Sequence, residues 1–182
     1  LVNQPEMALR AEIIREKGTD RSRFFRGEID KYTWQEVGSS FLPGELIAAF
    51  LWAQLEEADK ITQGRLQAWN YYHDQLSHLE AKGTLRRPLI PNACQHNAHM
   101  YYVLLAPEVD RQHVLNEVKK NDIFCVLHYV PLHSSPAGLK YGRVHGKLDV
   151  TDKQAERLVR LPLWVGLSRE QQDNVIDILK AI

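Results

Sequence analysis

An uninterrupted apolar run from Leu46 to Ala53 limits most strongly what this chain can fold into. The run is eight residues long, whereas a helix that spans a membrane needs about twenty, so we predict no transmembrane segment. A helix that is apolar around its whole circumference has to be covered on every side. The sequence therefore predicts a helix that lies in a core or at a contact with another subunit.

The turn ahead of this run allows two interpretations. Pro43 suits the first turn of a helix because proline has no N–H to leave unpaired, and Glu45 complements the helix dipole. We therefore predict that the helix begins near Pro43, directly after Ser39 and Ser40. The local sequence alone favours an ordinary N-cap, while free N–H groups and hydroxyl donors at such a turn also suit an anion such as phosphate.

Charge and cysteine content restrict the classes of partner. Lys and Arg number 23, as do Asp and Glu, so the formal net charge is zero. No general attraction to nucleic acid or to an anionic membrane is implied. Two cysteines do not make a disulfide framework, and the sequence shows no signal-peptide pattern. We therefore expect a cytoplasmic protein.

Two long segments lack any sustained period. One covers residues 18–42 and contains the aromatic residues Tyr32 and Trp34, and the other covers residues 130–150. Segments of this length are usually functional or disordered, and aromatic residues argue against disorder in the first. We expect both segments to carry functional residues.

The periodic parts predict helices and a small α/β layer. A helix is expected over residues 4–17, and a helical pattern runs over residues 43–83 with a bend near Gly64. Strands are expected over residues 99–105 and 123–129, joined by a helix. Two more helices begin at capping boxes, Thr151 with Gln154 and Ser168 with Gln171.

Histidines and cysteines gather in two stretches, CQHNAH and CVLHYVPLH. A tetrahedral zinc site requires thiolate and imidazole ligands, although the spacing here matches no paired Cys-x-x-Cys arrangement. A metal-binding domain that uses Cys94, His96, His99 and His128 is kept as an alternative. For His128 and His133, where a predicted strand runs into a loop, both a structural role and a ligand contact stay open.

Five stretches resemble one known family, in the same order along the chain. They are RAEIIREKGTDRSRFFRGEIDKYTWQEVGSS, AAFLWAQLEEAD, QHNAHMYYVLL, HYVPLHSSPAG and RLVRLPLWVGLS. These residues resemble the DegT-type sugar aminotransferases, which are fold-type-I enzymes that use pyridoxal 5'-phosphate. The resemblance covers essentially the whole chain.

The resemblance implies an α/β fold that is the C-terminal portion of a fold-type-I aminotransferase. Residues 1–42 would end the large, cofactor-binding domain with a long active-site loop, residues 43–83 would form a linking and interface helix, and residues 84–182 a small α/β domain. In the family the lysine that forms the aldimine with the cofactor lies upstream of a strand like LVN. We therefore expect that lysine before residue 1, and we expect the chain alone to be inactive.

The resemblance also implies a site and partners. Ser39 and Ser40 would contact the cofactor phosphate of the neighbouring subunit in a homodimer. Glutamate would give its amino group to the cofactor, and the amino group would then pass to C4 of dTDP-4-keto-6-deoxyglucose in cell-surface polysaccharide synthesis. The nucleotide-sugar would be contacted by five side chains, Tyr32, Trp34, His128, Tyr129 and His133.

Two alternatives belong to other classes of protein. One is a non-catalytic regulatory or interaction module built on the same scaffold, and the other is the metal-binding domain described above. An upstream lysine in the parent gene would separate the enzyme from the module. Elemental analysis would test for a metal.

Overall fold

The computed structural model describes residues 2–182, which divide into two compact units. Unit 1 ends at Glu57, and unit 2 runs from Ala58 to Ile182. Helices together with a small antiparallel sheet make up the described chain. The α/β class predicted from the sequence is confirmed.

The described part of unit 1 contains helices and a long segment that folds back onto them. The helices are α1 (Pro5–Arg15), α2 (Arg21–Phe25) and α3 (Glu45–Glu56). The predicted helix over residues 4–17 corresponds to α1. Two isolated antiparallel bridges, Glu16 with Ser40 and Thr19 with Trp34, join the returning segment to the end of α1 and the turn that follows it.

A buried carboxylate holds this segment in place. Asp20 is only 8% exposed, and its carboxylate accepts hydrogen bonds from Thr33 N–H at 2.7 Å and from Gln35 Nε2 at 2.9 Å. A buried charge needs such partners in place of water. The segment predicted to lack a period is thus ordered by polar contacts and not by a hydrophobic repeat.

Two glycines allow the backbones to approach closely. A Cβ added to Gly18 would lie 1.7 Å from the carbonyl oxygen of Glu36, and one added to Gly38 would lie 2.2 Å from the nitrogen of Gly18. Gly18 also has a φ of 76°, in the left-handed region that favours glycine. Both positions therefore require glycine for the segment to return along α1.

The structure corrects the prediction of one continuous helix over residues 43–83. Single non-helical residues, Glu57 and Leu76, interrupt it. Gly64, the predicted bend, lies inside a helix, and an added Cβ would lie 3.2 Å from Val165 Cγ1, so this glycine serves close packing. The helices that follow α3 are α4 (Ala58–Gln75) and α5 (Ser77–Ala81).

Residues 58–182, all of which the structure describes, contain a four-stranded antiparallel sheet with the order β1-β2-β4-β3. In the register, Tyr101 faces Leu161 and Val126 faces Arg160. The two predicted strands are present but shorter, and they do not pair with each other because β4, which was not predicted, lies between them. The strands are β1 (Leu85–Arg86), β2 (Tyr101–Leu105), β3 (Val126–Leu127) and β4 (Leu158–Leu161).

Four helices share one hydrophobic core with this sheet: α4, α5, α6 (Arg111–Lys120) and α9 (Arg169–Lys180). Gln172, which is fully buried, donates from Nε2 to the carbonyl oxygen of Ala68 at 2.8 Å and so joins α9 to α4. The predicted capping box of Ser168 and Gln171 begins α9. The core side chains include Tyr72, Tyr101, Val103, Val114, Val159 and Ile176.

Candidate functional site

The turn that contains Ser39 and Ser40 is fixed by its backbone. Ser39 N–H donates to the carbonyl oxygen of Ile14 at 3.0 Å, and Lys17 N–H donates to that of Ser39 at 3.0 Å. Helix α3 begins only at Glu45, with Gly44 as its N-cap. The predicted helix start near Pro43 agrees with this to within two residues. The N-cap interpretation of Ser40 does not hold, because Ser40 lies on the returning segment and is paired with Glu16.

The polar groups of this turn suit a phosphate group. The side chains of Ser39 and Ser40 are exposed, and within residues 2–182 their hydroxyl groups make no hydrogen bond. Gly44 has no side chain with which to cap α3, so the first-turn N–H groups lack a side-chain partner. Hydroxyl donors and a helix N-terminus are the groups that bind phosphate, although the Glu45 carboxylate in that first turn opposes a dianion.

Tyr32 and Trp34 have different surroundings within unit 1. The ring of Tyr32 meets that of Phe24 edge to face at 5.7 Å, and the guanidinium of Arg21 lies 6.0 Å from its centroid. Trp34 is 73% exposed, and only its backbone is paired, with Thr19. Tyr32 therefore packs within unit 1, while the indole of Trp34 is open for contact.

The second long segment folds around a short 3₁₀ turn, Leu132–Ser134, and helix α7 (Pro136–Tyr141). Ser135 caps α7 by accepting from Gly138 N–H at 3.1 Å, and its hydroxyl donates to Leu132 at 2.7 Å. A Cβ added to Gly138 would lie 1.7 Å from the carbonyl oxygen of Leu132. The predicted aperiodic loop over residues 130–150 is thus a compact turn and helix, and Gly138 is required for it.

His128 and Tyr129 line a cavity of about 460 Å³, beside α8 (Asp149–Arg157). Their rings meet edge to face at 5.1 Å. Nδ1 of His128 is buried and has no hydrogen-bond partner within residues 2–182. Since a buried polar atom without a partner costs free energy, this nitrogen is suited to a hydrogen bond with a bound ligand.

His133 lies at the border between this cavity and a second one. Its Nε2 is 3.0 Å from Oδ1 of Asp152, which lines the first cavity. His133 itself lines the second, a cavity of about 340 Å³ that also includes Arg143. The structure therefore places His128 and Tyr129 in the first cavity and His133 in the second. The contact between His133 and Asp152 joins the two cavities.

Three charged side chains of the first cavity were not predicted: Arg111, Asp152 and Glu156. Arg111 follows Asp110, the N-cap of α6, and its guanidinium donates to the carbonyl oxygen of Ala155 in α8. In the sequence these three residues look like charged residues on the exposed face of a helix, and nothing near them indicates a site. Their grouping arises from tertiary packing, which no local pattern indicates.

The metal-binding alternative finds no support. Residues 2–182 contain no group of three or more His, Cys, Asp and Glu side chains placed to hold a metal ion. His96 meets the ring of Trp69 at 4.6 Å, and His99 contacts Asn97 at 3.1 Å.

Nowhere in residues 2–182 does a helix combine the length and the apolar character needed to cross a membrane.

Comparison with known proteins points to one family. The family model for DegT/DnrJ/EryC1/StrS aminotransferases matches residues 1–180. The chain is 25% identical over 178 residues to dTDP-4-dehydro-2,3,6-trideoxy-D-glucose 4-aminotransferase of Saccharopolyspora spinosa, which covers 95% of this chain and 44% of that protein. It is also 25% identical over 168 residues to dTDP-4-amino-4,6-dideoxy-D-glucose transaminase of Shigella dysenteriae, covering 90% and 44%.

The fold agrees with this match. The structure superposes on that of an aminotransferase, TlmJ, from Streptoalloteichus hindustanus with a TM-score of 0.81 at 22% identity, covering 98% of this chain and 45% of that one. The predicted fold, a C-terminal portion of an aminotransferase, is confirmed. The chain spans less than half the length of these curated relatives.

Proposed function

Because the chain belongs to the DegT/DnrJ/EryC1/StrS aminotransferase family, we propose that it is part of a nucleotide-sugar aminotransferase that depends on pyridoxal 5'-phosphate. The observation that carries this proposal is the match over residues 1–180, almost the full chain, to this one family. The cavity lined by His128 and Tyr129 and the free hydroxyl groups of Ser39 and Ser40 supply places for the two ligands.

We assign the amino acceptor as dTDP-4-keto-6-deoxyglucose, aminated at C4, and glutamate as the amino donor. The product would be dTDP-4-amino-4,6-dideoxygalactose, for enterobacterial common antigen or a related lipopolysaccharide, made in the cytoplasm. The names of two relatives, a dTDP-sugar 4-aminotransferase and a transaminase of a dTDP-4-amino-4,6-dideoxy sugar, support chemistry at this carbon. The stretch HYVPLHSSPAG is the part of the sequence on which the finer assignment rests.

The chain's own residues would act in two places. The hydroxyl groups of Ser39 and Ser40 would donate to the cofactor phosphate of the partner subunit in a homodimer, and the first-turn N–H groups of α3 would add their positive dipole end. Pyridoxal phosphate supplies, when bound, the electron sink that amino transfer requires. Since phosphate is dianionic, each such charge-assisted hydrogen bond is stronger than a neutral one.

The second place is the sugar nucleotide. His128 Nδ1 lacks a partner and would hydrogen-bond the substrate, while Tyr129, which is 80% exposed, would cover it. His133 would reach it from the neighbouring cavity. Tyr32 and Trp34 are the further contacts proposed from unit 1. Contact of His128, Tyr129 and His133 with the sugar would exclude water from it.

The test is an assay of the full-length protein that carries this chain. Incubation with pyridoxal phosphate, glutamate and dTDP-4-keto-6-deoxyglucose should yield a dTDP-amino-sugar, detected by mass spectrometry, with ¹⁵N from labelled glutamate. No ¹⁵N transfer to this acceptor or to its 3-keto isomer would contradict the proposal and favour a non-catalytic module. Transfer only to the 3-keto isomer would keep the aminotransferase and reject the C4 assignment.

A further inference from the structure

We propose that the cavity between Arg111 and α8 binds an α-amino acid as a zwitterion, with its carboxylate on Arg111 and its ammonium group on Asp152 and Glu156. All three side chains line this cavity, which lies within unit 2. That the amino acid is the amino donor rests on the function proposed above. The charge pattern that selects it is a property of the chain.

The guanidinium of Arg111 supplies the positive charge. One of its terminal nitrogens donates to the carbonyl oxygen of Ala155, and Ala155 also lines the cavity, so the charged end of the side chain lies at the cavity wall. Among residues 2–182, neither a second hydrogen bond nor an ion pair engages this guanidinium. Arg111 is only partly exposed, and a partly buried charge needs partners in place of water. A carboxylate supplies them because it accepts two parallel hydrogen bonds from a guanidinium.

Helix α8 supplies the negative charge. Asp152 and Glu156 are four residues apart, so they lie on the same face of the helix, where like charges repel each other. Within residues 2–182 the Glu156 carboxylate makes no hydrogen bond or ion pair, and that of Asp152 pairs with His133 alone. An ammonium group between the two carboxylates would remove the repulsion, since it can donate to both of them.

The arrangement of these charges selects a zwitterion over a ligand of one sign. In the described part of the chain no ion pair joins Arg111 to either carboxylate, although all three line one cavity of about 460 Å³. The cavity therefore keeps the opposite charges apart. The diphosphate of a nucleotide would be attracted by one of these charges and repelled by two, and a simple amine would leave the guanidinium unpaired. An α-amino acid carries both charges on one carbon and satisfies both walls.

The cavity can serve the two substrates in turn. In a ping-pong transfer the donor product leaves before the acceptor binds. The groups proposed for the sugar, His128 and Tyr129, follow strand β3, whereas the three charged side chains lie on α6 and α8. Different walls of the cavity would therefore hold the amino acid and the sugar.

The experiment is an NMR titration of the ¹⁵N-labelled 182-residue chain with L-glutamate, followed at the backbone amides of residues 127–134 and 152–156. Glutarate, which lacks the ammonium group, and butylamine, which lacks the carboxylates, are titrated beside it. We expect glutamate to shift these amides and to bind at least about tenfold more tightly than either analogue, because each analogue leaves one wall without its charge-assisted hydrogen bonds. The nucleotide dTDP should not displace glutamate.

Variants test the two walls separately. Arg111→Gln and Glu156→Gln should each weaken glutamate binding about ten- to a hundredfold, while Arg111→Lys keeps the charge and should recover part of the affinity. Arg157→Gln is the matched control, because the Arg157 guanidinium also donates to a backbone carbonyl, that of Leu105 at 2.6 Å, but does not line the cavity. This variant should bind glutamate as the wild type does.

Three results would overturn the proposal. The first is glutarate or butylamine binding to the wild type as tightly as glutamate, which decides the matter even if a variant fails to fold. The second is glutamate that leaves the amides of the cavity unshifted, and the third is Arg157→Gln weakening binding as much as Arg111→Gln. These measurements use neither cofactor nor keto sugar, so such a failure would leave the aminotransferase assignment standing. Failure of the ¹⁵N-transfer assay with glutamate binding intact would instead count against that assignment.

Discussion

Ser40 lies opposite Glu16 in an isolated antiparallel bridge, and this pairing, not a helix start, defines its position. Backbone hydrogen bonds on both sides, from Phe41 N–H to Arg15 and from Lys17 N–H to Ser39, keep the turn in place without either serine hydroxyl. The hydroxyl of Ser40 can therefore be removed with little effect on the fold. A Ser40→Ala variant therefore tests the binding role of the hydroxyl group without disturbing the structural role of the Ser40 backbone.

In the full-length protein, Ser40→Ala should weaken cofactor retention and leave thermal unfolding nearly unchanged. Loss of one hydrogen bond to a charged group costs about 1.5 to 3 kcal/mol, which is about ten- to a hundredfold in affinity. Ser168→Ala is the control, because Ser168 does cap a helix and its loss should lower stability by about 1 kcal/mol without changing cofactor affinity. An unchanged dissociation constant for the cofactor in Ser40→Ala would remove Ser40 from the phosphate site.

Helix α3 should cause the 182-residue chain to self-associate. Leu46 and Phe50, which are 88% and 70% exposed, belong to an apolar surface that single-chain proteins rarely leave uncovered. Replacement of both by Glu should shift the sedimentation profile toward monomer. Leu89→Glu is the control because Leu89 is similarly exposed, at 85%, but lies away from α3 in sequence. A sharp monomer at high concentration for the wild type would refute this.

Mixed with pyridoxal phosphate, the 182-residue chain should form no borohydride-stable adduct at one defined lysine. The family resemblance leads us to expect that none of its lysines lies in the sequence context in which the family forms its link to the cofactor. Peptide mapping after reduction measures this directly, and scattered low labelling at several lysines is the expected background. Stoichiometric labelling of one lysine, with turnover of the keto sugar, would show that the chain is catalytically sufficient.

Acid should destabilise unit 2 through His73. Burial is the main cause that lowers the pKa of this imidazole, and the positive charge of Arg87 adds to it. Protonation therefore favours the unfolded chain, so stability holds above the unfolded pKa of about 6.5 and falls as the pH drops below it.

Denaturant unfolding at pH 7.5 and pH 5.5 measures this effect. His73→Phe keeps a ring to stack on Trp69, as the imidazole does at 4.6 Å, and should show a smaller loss of stability between the two pH values than the wild type. His113→Phe, at an exposed position of α6, should lose as much stability as the wild type. Equal losses in all three proteins would contradict the role of His73.

Local signals in the sequence predicted local structure with one success and one failure at the capping boxes. The box of Thr151 and Gln154 is wrong, because α8 already begins at Asp149 and Thr151 lies inside it. The capping box of Ser168 and Gln171 involves neighbours only, and it is present as predicted. Strand β4 escaped prediction because its four residues directly follow a helix and carry no turn signal, while its partners lie far away in the chain. The family resemblance correctly gave the fold, since it draws on the whole chain.

At the candidate site, too, features that depend on neighbouring residues could be predicted, and features that depend on distant residues could not. His128 was predicted because it lies where a strand runs into a proline-containing loop, and Tyr129 because of the family resemblance; the structure places both at a cavity. For Ser40 the sequence left a cap and a phosphate contact open, and its pairing with Glu16, at the end of an earlier helix, excludes only the cap. Asp152 was missed because a helix-surface carboxylate becomes informative only when packing brings His133 to it. The binding roles of these residues stay predictions.

The strand order of unit 2 has a consequence for biosynthesis. Strand β4 lies between β2 and β3 in the sheet, yet follows both of them along the chain. While a ribosome is still making the residues before Leu158, β3 has no neighbour and β2 has only the two-residue β1. The β1–β2 pair can form before that point, but the four-stranded sheet cannot be completed until β4 emerges, because β4 is the strand that joins β2 to β3. Val103 of β2, which is fully buried in the folded chain, lacks its partner Val159 until then.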